Sequence, residues 1–267
     1  MKKMALLAFG LCILGYSCKT VPLTGRKQFA LIPDADITAM SSDQYKQVIQ
    51  TGPLSRNTEY TARVKRVGNR IKTAVEKYLN ENGHSNLLNG FHWEFNVIAE
   101  PTVNAWAMPG GKVAFYEGIM PVCGDDAGVA VVMGHEVAHA IASHGNERMT
   151  QGMAQQMGGV ALAVALQEKP AETQALFMTA YGVGSHYGGI LPFSRLQESE
   201  ADQLGIIFMA IAGYDPREAP KFWERMSTLS GGPAPPEMMS THPSDERRIR
   251  DLNNHLPEAL KYYNQGN

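Results

Sequence analysis

Residues His135-Glu136-Val137-Ala138-His139 decide how this chain is read. On an α-helix, side chains four residues apart stand one turn from each other, so the two imidazoles can converge on one ion. Glu136 lies about 100° further around the helix. From there it reaches a water beside the ion instead of the ion itself. A Zn²⁺ ion held this way polarises water, and a carboxylate in that place takes its proton as general base. Val131, Val132, Val137, Ala138 and Ile141 make the segment apolar over much of its surface. Unpartnered His and Glu side chains would be costly there. The stretch therefore predicts a buried helix with His135 and His139 as metal ligands and Glu136 as the base.

A catalytic zinc takes three protein ligands and keeps one position open. His144 is the nearest further candidate, but on a continuous helix it points away from His135, and the Gly turn of the metzincins is missing. It is expected to end the helix. A better source is Glu198-Ser199-Glu200-Ala201-Asp202. Glu198 and Asp202 share a helical face and Glu200 points elsewhere. One carboxylate can bind zinc while the other accepts the outer N–H of a ligand histidine. Glu198 is assigned to the metal and Asp202 to the histidine. Leu204, Ile206, Ile207 and Phe208 follow directly, so this helix too is at least partly buried.

The rest of the chain frames these two helices. Residues 41–78 read as helical, with Val64, Val67, Ile71, Ala74, Val75 and Tyr78 on one face. Residues 91–99 alternate as a strand. Residues 104–108 and 112–116, around Pro109-Gly110-Gly111, read as a hairpin. Asp125 or Asp126 can cap the metal helix, which is expected to run toward Met157. The Gly-rich stretch 158–194 reads as a mobile loop or lid. Helices follow over about 195–212, 216–229 and 244–256, with a Gly/Pro loop at 231–236 between the last two.

The 267 residues allow one substantial core or two small ones. A formal net charge of −2, without a basic block, excludes nucleic acid as a partner class. At the start, Lys2 and Lys3 precede an apolar run from Met4 to Leu14, with small residues at Gly15 and Ser17 before Cys18. This is the layout of a cleaved secretory signal over 1–17, too short for an ordinary membrane span. Its end resembles a bacterial lipoprotein signal, in which Cys18 becomes the lipidated first residue and anchors the chain to a membrane. Of the three cysteines, Cys123 is left as a small buried hydrophobe. The expected organisation is a signal at 1–17, an anchor strap at 18–40 and a peptidase domain at 41–267.

Taken together, the His135–His139 motif, Glu198–Asp202, Val21-Pro22-Leu23-Thr24-Gly25-Arg26, Asn104 to Lys112, and Thr241-His242-Pro243 with Arg248-Ile249 resemble the gluzincins of the HtpX, BepA and LoiP type, a family that also holds the CAAX prenyl endopeptidases. The chain is most similar to the LoiP-type periplasmic lipoproteins. The resemblance implies an α+β, mostly helical zincin-like domain with a small sheet. It also implies one zinc ion per chain and Glu198 as third ligand over Glu200. An edge strand over Asn104, Ala105, Trp106, Ala107 and Met108 would pair with the substrate backbone.

The implied activity is a metalloendopeptidase that degrades misfolded or misassembled cell-envelope proteins. Its implied place is the periplasmic face of a bacterial envelope, as an outer-membrane lipoprotein. The alternative is a chaperone or assembly factor for outer-membrane proteins that uses the same groove without cutting. In related peptidases a His in a Thr-His-Pro setting approaches the metal. His242 is thus expected either to donate to an oxyanion or to act as a fourth ligand that holds the enzyme idle, the second being favoured.

Overall fold

The computed structural model describes residues 18–22, 24–186, 190–230, 236–242 and 246–266. The expected signal segment, the loop 231–235, Pro243 and the side chain of Cys18 lie outside these. In chain order the elements are β1 (Cys18–Thr20), β2 (Lys27–Phe29), α1 (Asp34–Thr51), α2 (Thr58–Glu81), β3 (Glu94–Ile98), β4 (Ala105–Met108) and β5 (Lys112–Tyr116). Then come α3 (Met120–Cys123), α4 (Asp126–Ile141), α5 (His144–Leu166), α6 (Ala171–Ser185), α7 (Leu191–Ile211), α8 (Glu218–Ser230), α9 (Glu237–Thr241) and α10 (Glu246–Gly266). They fall into two units. The larger holds Asp34–Ala142 with Glu198–Asn267, and the smaller Met1–Pro33 with Ser143–Gln197. The expected domain from 41 to 267 thus contributes to both.

In the larger unit, the face read on α2 is buried as a whole, from Val64 to Tyr78. Each such aliphatic side chain contributes about 1.5–3 kcal/mol. Asn57 caps the helix, its side chain accepting from the Tyr60 N–H at 3.1 Å. The single helix expected over 41–78 is instead two, α1 and α2. Gly52-Pro53 interrupts it, since Pro supplies no N–H and clashes with the preceding turn. The released backbone bonds to the β3 region: Ser55 N–H donates to Val97 O at 2.8 Å and Ala99 N–H to Pro53 O at 2.7 Å.

The three-stranded sheet has the order β3-β5-β4. β5 runs parallel to β3 and antiparallel to β4, with Ala105 opposite Phe115 and Met108 opposite Lys112. Gly110 (φ +88°) and Gly111 (φ +78°) make the turn of the β4–β5 hairpin, a backbone that residues with a Cβ rarely adopt. The strand expected over 91–99 narrows to β3, and β4 is left at the edge of the sheet, bonded to β5 on one side.

Asp125 caps α4, accepting from the Gly128 N–H at 2.9 Å. α4 and α7 meet backbone to backbone: a Cβ on Gly134 would stand 2.7 Å from Gly205 O, and one on Gly205 2.9 Å from His135 N. Any larger residue at either place would push the two helices apart. α4 stops at Ile141 and does not continue toward Met157. Ser143 has left-handed angles (φ 57°, ψ 29°), which end the helix and start α5. α10 runs past the expected end at 256 and through Pro257, with Leu252 and Ala259 both buried along it.

In the smaller unit, β1 and β2 pair antiparallel, Cys18 opposite Phe29. Arg26 forms a two-pronged ion pair with buried Glu147 at 2.7 and 2.8 Å. Gln197 Nε2 donates to the same carboxylate at 2.7 Å and its Oε1 accepts from Arg148 Nε. Leu31 N–H donates to Thr150 Oγ1 and Asn146 Nδ2 to Ile32 O. The strap is thus fastened to the first two turns of α5. The expected loop at 158–194 is largely the helical hairpin α5–α6, joined by Tyr181 Oη donating to Gln155 O and Gln155 Nε2 to Ser185 Oγ. Gly158, Gly159, Gly182 and Gly184 lie within these helices, where neighbouring Ala, Met and Leu favour the helical state. No helix among the described residues is long and apolar enough to cross a membrane.

Candidate metal centre

All residues of the site belong to the larger unit. α4 sets His135 and His139 one turn apart, with Nε2 atoms at 3.1 Å and ring centroids at 4.7 Å. α7 brings Glu198 against both, Oε2 at 3.3 Å from His135 Nε2 and Oε1 at 3.3 Å from His139 Nε2. His242, just after α9, adds Nδ1 at 2.9 Å from Glu198 Oε2 and 3.1 Å from His135 Nε2. One donor atom from each of these four buried residues lies within 4.8 Å of all the others. Nitrogen and carboxylate oxygen are the donors zinc takes, and four is its preferred number. So many buried lone pairs facing one another are costly unless a cation or protons sit among them. The donor set fits one zinc ion.

Around this cluster a second layer fixes the histidine. His135 Nδ1 lies 2.9 Å from Asp202 Oδ1. Arg248 grips Asp202 with Nε and Nη2, each at 2.7 Å. Its guanidinium lies over the Trp223 ring, 3.4 Å from the centroid, a cation–π contact. The Asp202–Arg248 pair is buried, and removing one member of such a pair costs about 3–5 kcal/mol. Burial presses the Asp202 carboxyl upward, but Arg248 and His135 bring it below its usual range. For Glu198, burial is likewise outweighed by His139, His135 and His242, which hold it well below that range. His135 is pressed down by burial and by Arg248, yet Asp202 and Glu198 lift it to about 9.

Glu136 points at the same place. It is buried, and its Oε1 has no hydrogen bond among the described residues. The Nε2 of His242 is 3.4 Å away. Glu200 is buried but lies outside the four-residue cluster. His144 is also outside it and begins α5. The His242 segment is tied to the chain just before the edge strand: Met238 N–H donates to Val103 O at 3.2 Å, and Asn104 Nδ2 to Glu237 Oε1 at 3.1 Å. Burial pushes the Cys123 thiol up to about 12, the state of an inert core residue. Sequence reasoning quoted Arg248 only as part of the family resemblance, without a role, and did not single out Trp223. The available signal was Arg248 in phase with Leu252, a charge on an otherwise apolar face of α10.

The ionisation of His135 sets a pH dependence. Without metal it carries a proton below about pH 9, and a protonated imidazole cannot ligate. Zinc uptake must release that proton, so apparent affinity should weaken by about tenfold per pH unit as pH falls below 9. Competition titration with a chromophoric chelator at several pH values measures this, and a flat profile would contradict it.

Residues 65–256 match the model of Peptidase family M48. The chain is 34% identical over 241 residues to the mitochondrial metalloendopeptidase OMA1 of Schizosaccharomyces pombe, covering 90% of this chain and 66% of that one. It is 30% identical over 276 residues to the Saccharomyces cerevisiae protein of the same name, covering 99% and 77%. To the β-barrel assembly-enhancing protease of Escherichia coli it is 26% identical over 251 residues, covering 89% and 47%. The mitochondrial relatives overturn the expected placement at the periplasmic face of a bacterial envelope as an outer-membrane lipoprotein. Lysines before a short apolar run are a generic targeting chemistry, and they do not specify which membrane is addressed. With the donor set of α4 and α7 and a family match over most of its length, the chain belongs to Peptidase family M48 and is a zinc metalloendopeptidase.

Proposed function

We propose that this endopeptidase cuts unfolded or misassembled polypeptides, which it draws as extended strands along β4. The observation that carries the reading is the meeting of His135, His139, Glu198 and His242 beside the orphaned Oε1 of Glu136. His135, His139 and Glu198 hold the metal in this scheme. Zinc there supplies the Lewis acidity that polarises the scissile carbonyl and acidifies water. Glu136 takes the proton of the attacking water and delivers it to the leaving amine. Asp202 keeps the His135 ring in one tautomer and orientation, and Arg248 keeps Asp202 in place. Main-chain pairing along residues 104–108 reads no side chains, which suits a broad substrate range. The qualifier "cell-envelope" falls with the location.

His242 is read as the plug. Its Nδ1 faces the other donors and its Nε2 faces Glu136, so it stands where water must enter. Its carrier segment is bonded beside β4 through Met238 and Glu237, so a strand arriving there competes with that hold.

Casein turnover by the purified chain tests both readings. Cleavage should stop with a chelator, return with zinc, and rise above the basal rate in His242→Ala. A fall of roughly 10²–10³-fold in that variant would make His242 an oxyanion donor instead. An unchanged rate would remove it from the site. Casein retained but never cut would favour the chaperone reading.

A further inference from the structure

The hairpin α5–α6 carries its apolar side chains on the wrong side for a helix pair standing in water. Met157, Val160 and Val164 on α5 are 74%, 65% and 60% exposed, and Leu176, Phe177 and Val183 on α6 are 67%, 50% and 54% exposed. On α5 they recur at i, i+3 and i+7, so they line one face. Exposed patches of this extent mark an interaction surface. Its charge pattern is equally uneven. Between Arg148 and Arg195 the only Asp, Glu, Lys or Arg residues are Glu168, Lys169 and Glu172, all at the tip where the two helices join. Both shafts are free of them.

Two occupants could cover such a face, a second copy of the chain or a lipid surface. Paired helices normally set partner and register with charged residues flanking the apolar stripe. Here the flanks are Gln, Gly, Ala and Thr. The same unit also shows where the chain's apolar leader joins. Residues Met4 to Leu14 form the apolar run, and Cys18, soon after it, is paired with Phe29. Leu31 and Ile32, next along the strap, bond to Thr150 and Asn146 in the first turns of α5. The root of the hairpin and Cys18, the first described residue after the apolar run, are therefore fastened together within one unit.

We infer that the outer faces of α5 and α6 lie in the interfacial layer of a lipid bilayer, apolar side down, with the charged tip at 168–172 left in the headgroup zone. This is a monotopic contact and not a span. Because the shafts lack basic residues, the attachment is apolar: it depends little on anionic lipid and survives salt that screens surface charge.

The full-length chain, reconstituted on neutral phosphatidylcholine vesicles containing a diazirine-tagged lipid, tests this without any substitution. After photolysis, peptide mapping should place lipid adducts in 149–183 and few in α2, with the same yield at high salt. A double variant, Val160→Glu with Leu176→Glu, should lower that labelling by about tenfold or more while circular dichroism stays unchanged. Labelling of 149–183 no higher than that of α2, or labelling lost in high salt, would overturn the inference. So would hairpin-to-hairpin crosslinks between two copies in place of lipid adducts.

Discussion

Glu136→Gln should lower peptide hydrolysis by about 10²–10⁴-fold, the usual contribution of a general base, while zinc remains bound. The substitution keeps size and shape and removes only the ability to take a proton. Glu136 is not among the four residues whose donor atoms converge, so the metal should not notice its loss. Its Oε1 is buried, without a hydrogen bond among the described residues. Such an atom is costly to keep unless the reaction uses it. Metal content and casein turnover measured on one preparation decide the matter. Zinc lost together with activity would make Glu136 a ligand and end its assignment as base.

A second large effect separates the carboxylates of α7. Glu198→Ala should weaken zinc binding by more than the roughly 10–100-fold that outer partners of a ligand typically command. Glu198 contacts His135, His139 and His242 at once, and among the described residues no other carboxylate belongs to the cluster. Glu200→Ala should leave affinity near normal. Asp202→Asn should fall between, within that roughly 10–100-fold range, because it still fills the space beside Arg248 but no longer favours one His135 tautomer. Chelator competition on samples checked for native circular dichroism gives the ranking. If Glu200 outranked Glu198, the choice of third ligand would be refuted.

The parts of the site legible in the sequence are those set by helical spacing alone. His135 with His139, and Glu198 with Asp202, are four apart, and a helix puts such pairs on one face whatever surrounds it. The β4–β5 hairpin was legible for a similar reason, since Pro109-Gly110-Gly111 dictates a local turn. The failures were long-range. Nothing near Arg248 in sequence announces Asp202 or Trp223, which meet it only after α7, α8 and α10 have packed. The break at Gly52-Pro53 is visible as a Pro, but its pairing with β3 is a tertiary fact. The stretch 158–194 was read as a loop because Pro170 and closely spaced glycines look like breaks, and because the apolar residues there face outward. A pattern that assumes a core on one side and water on the other then finds no period. The location failed for a different reason: a leader's chemistry is shared among membranes.

Gly134 and Gly205 let α4 and α7 touch along their backbones, and that contact involves neither metal nor any titrating side chain. The approach of the two helices thus rests in part on packing that no ion supplies. A larger residue at either glycine would move Glu198 away from His135 and His139 and weaken zinc binding without touching a ligand.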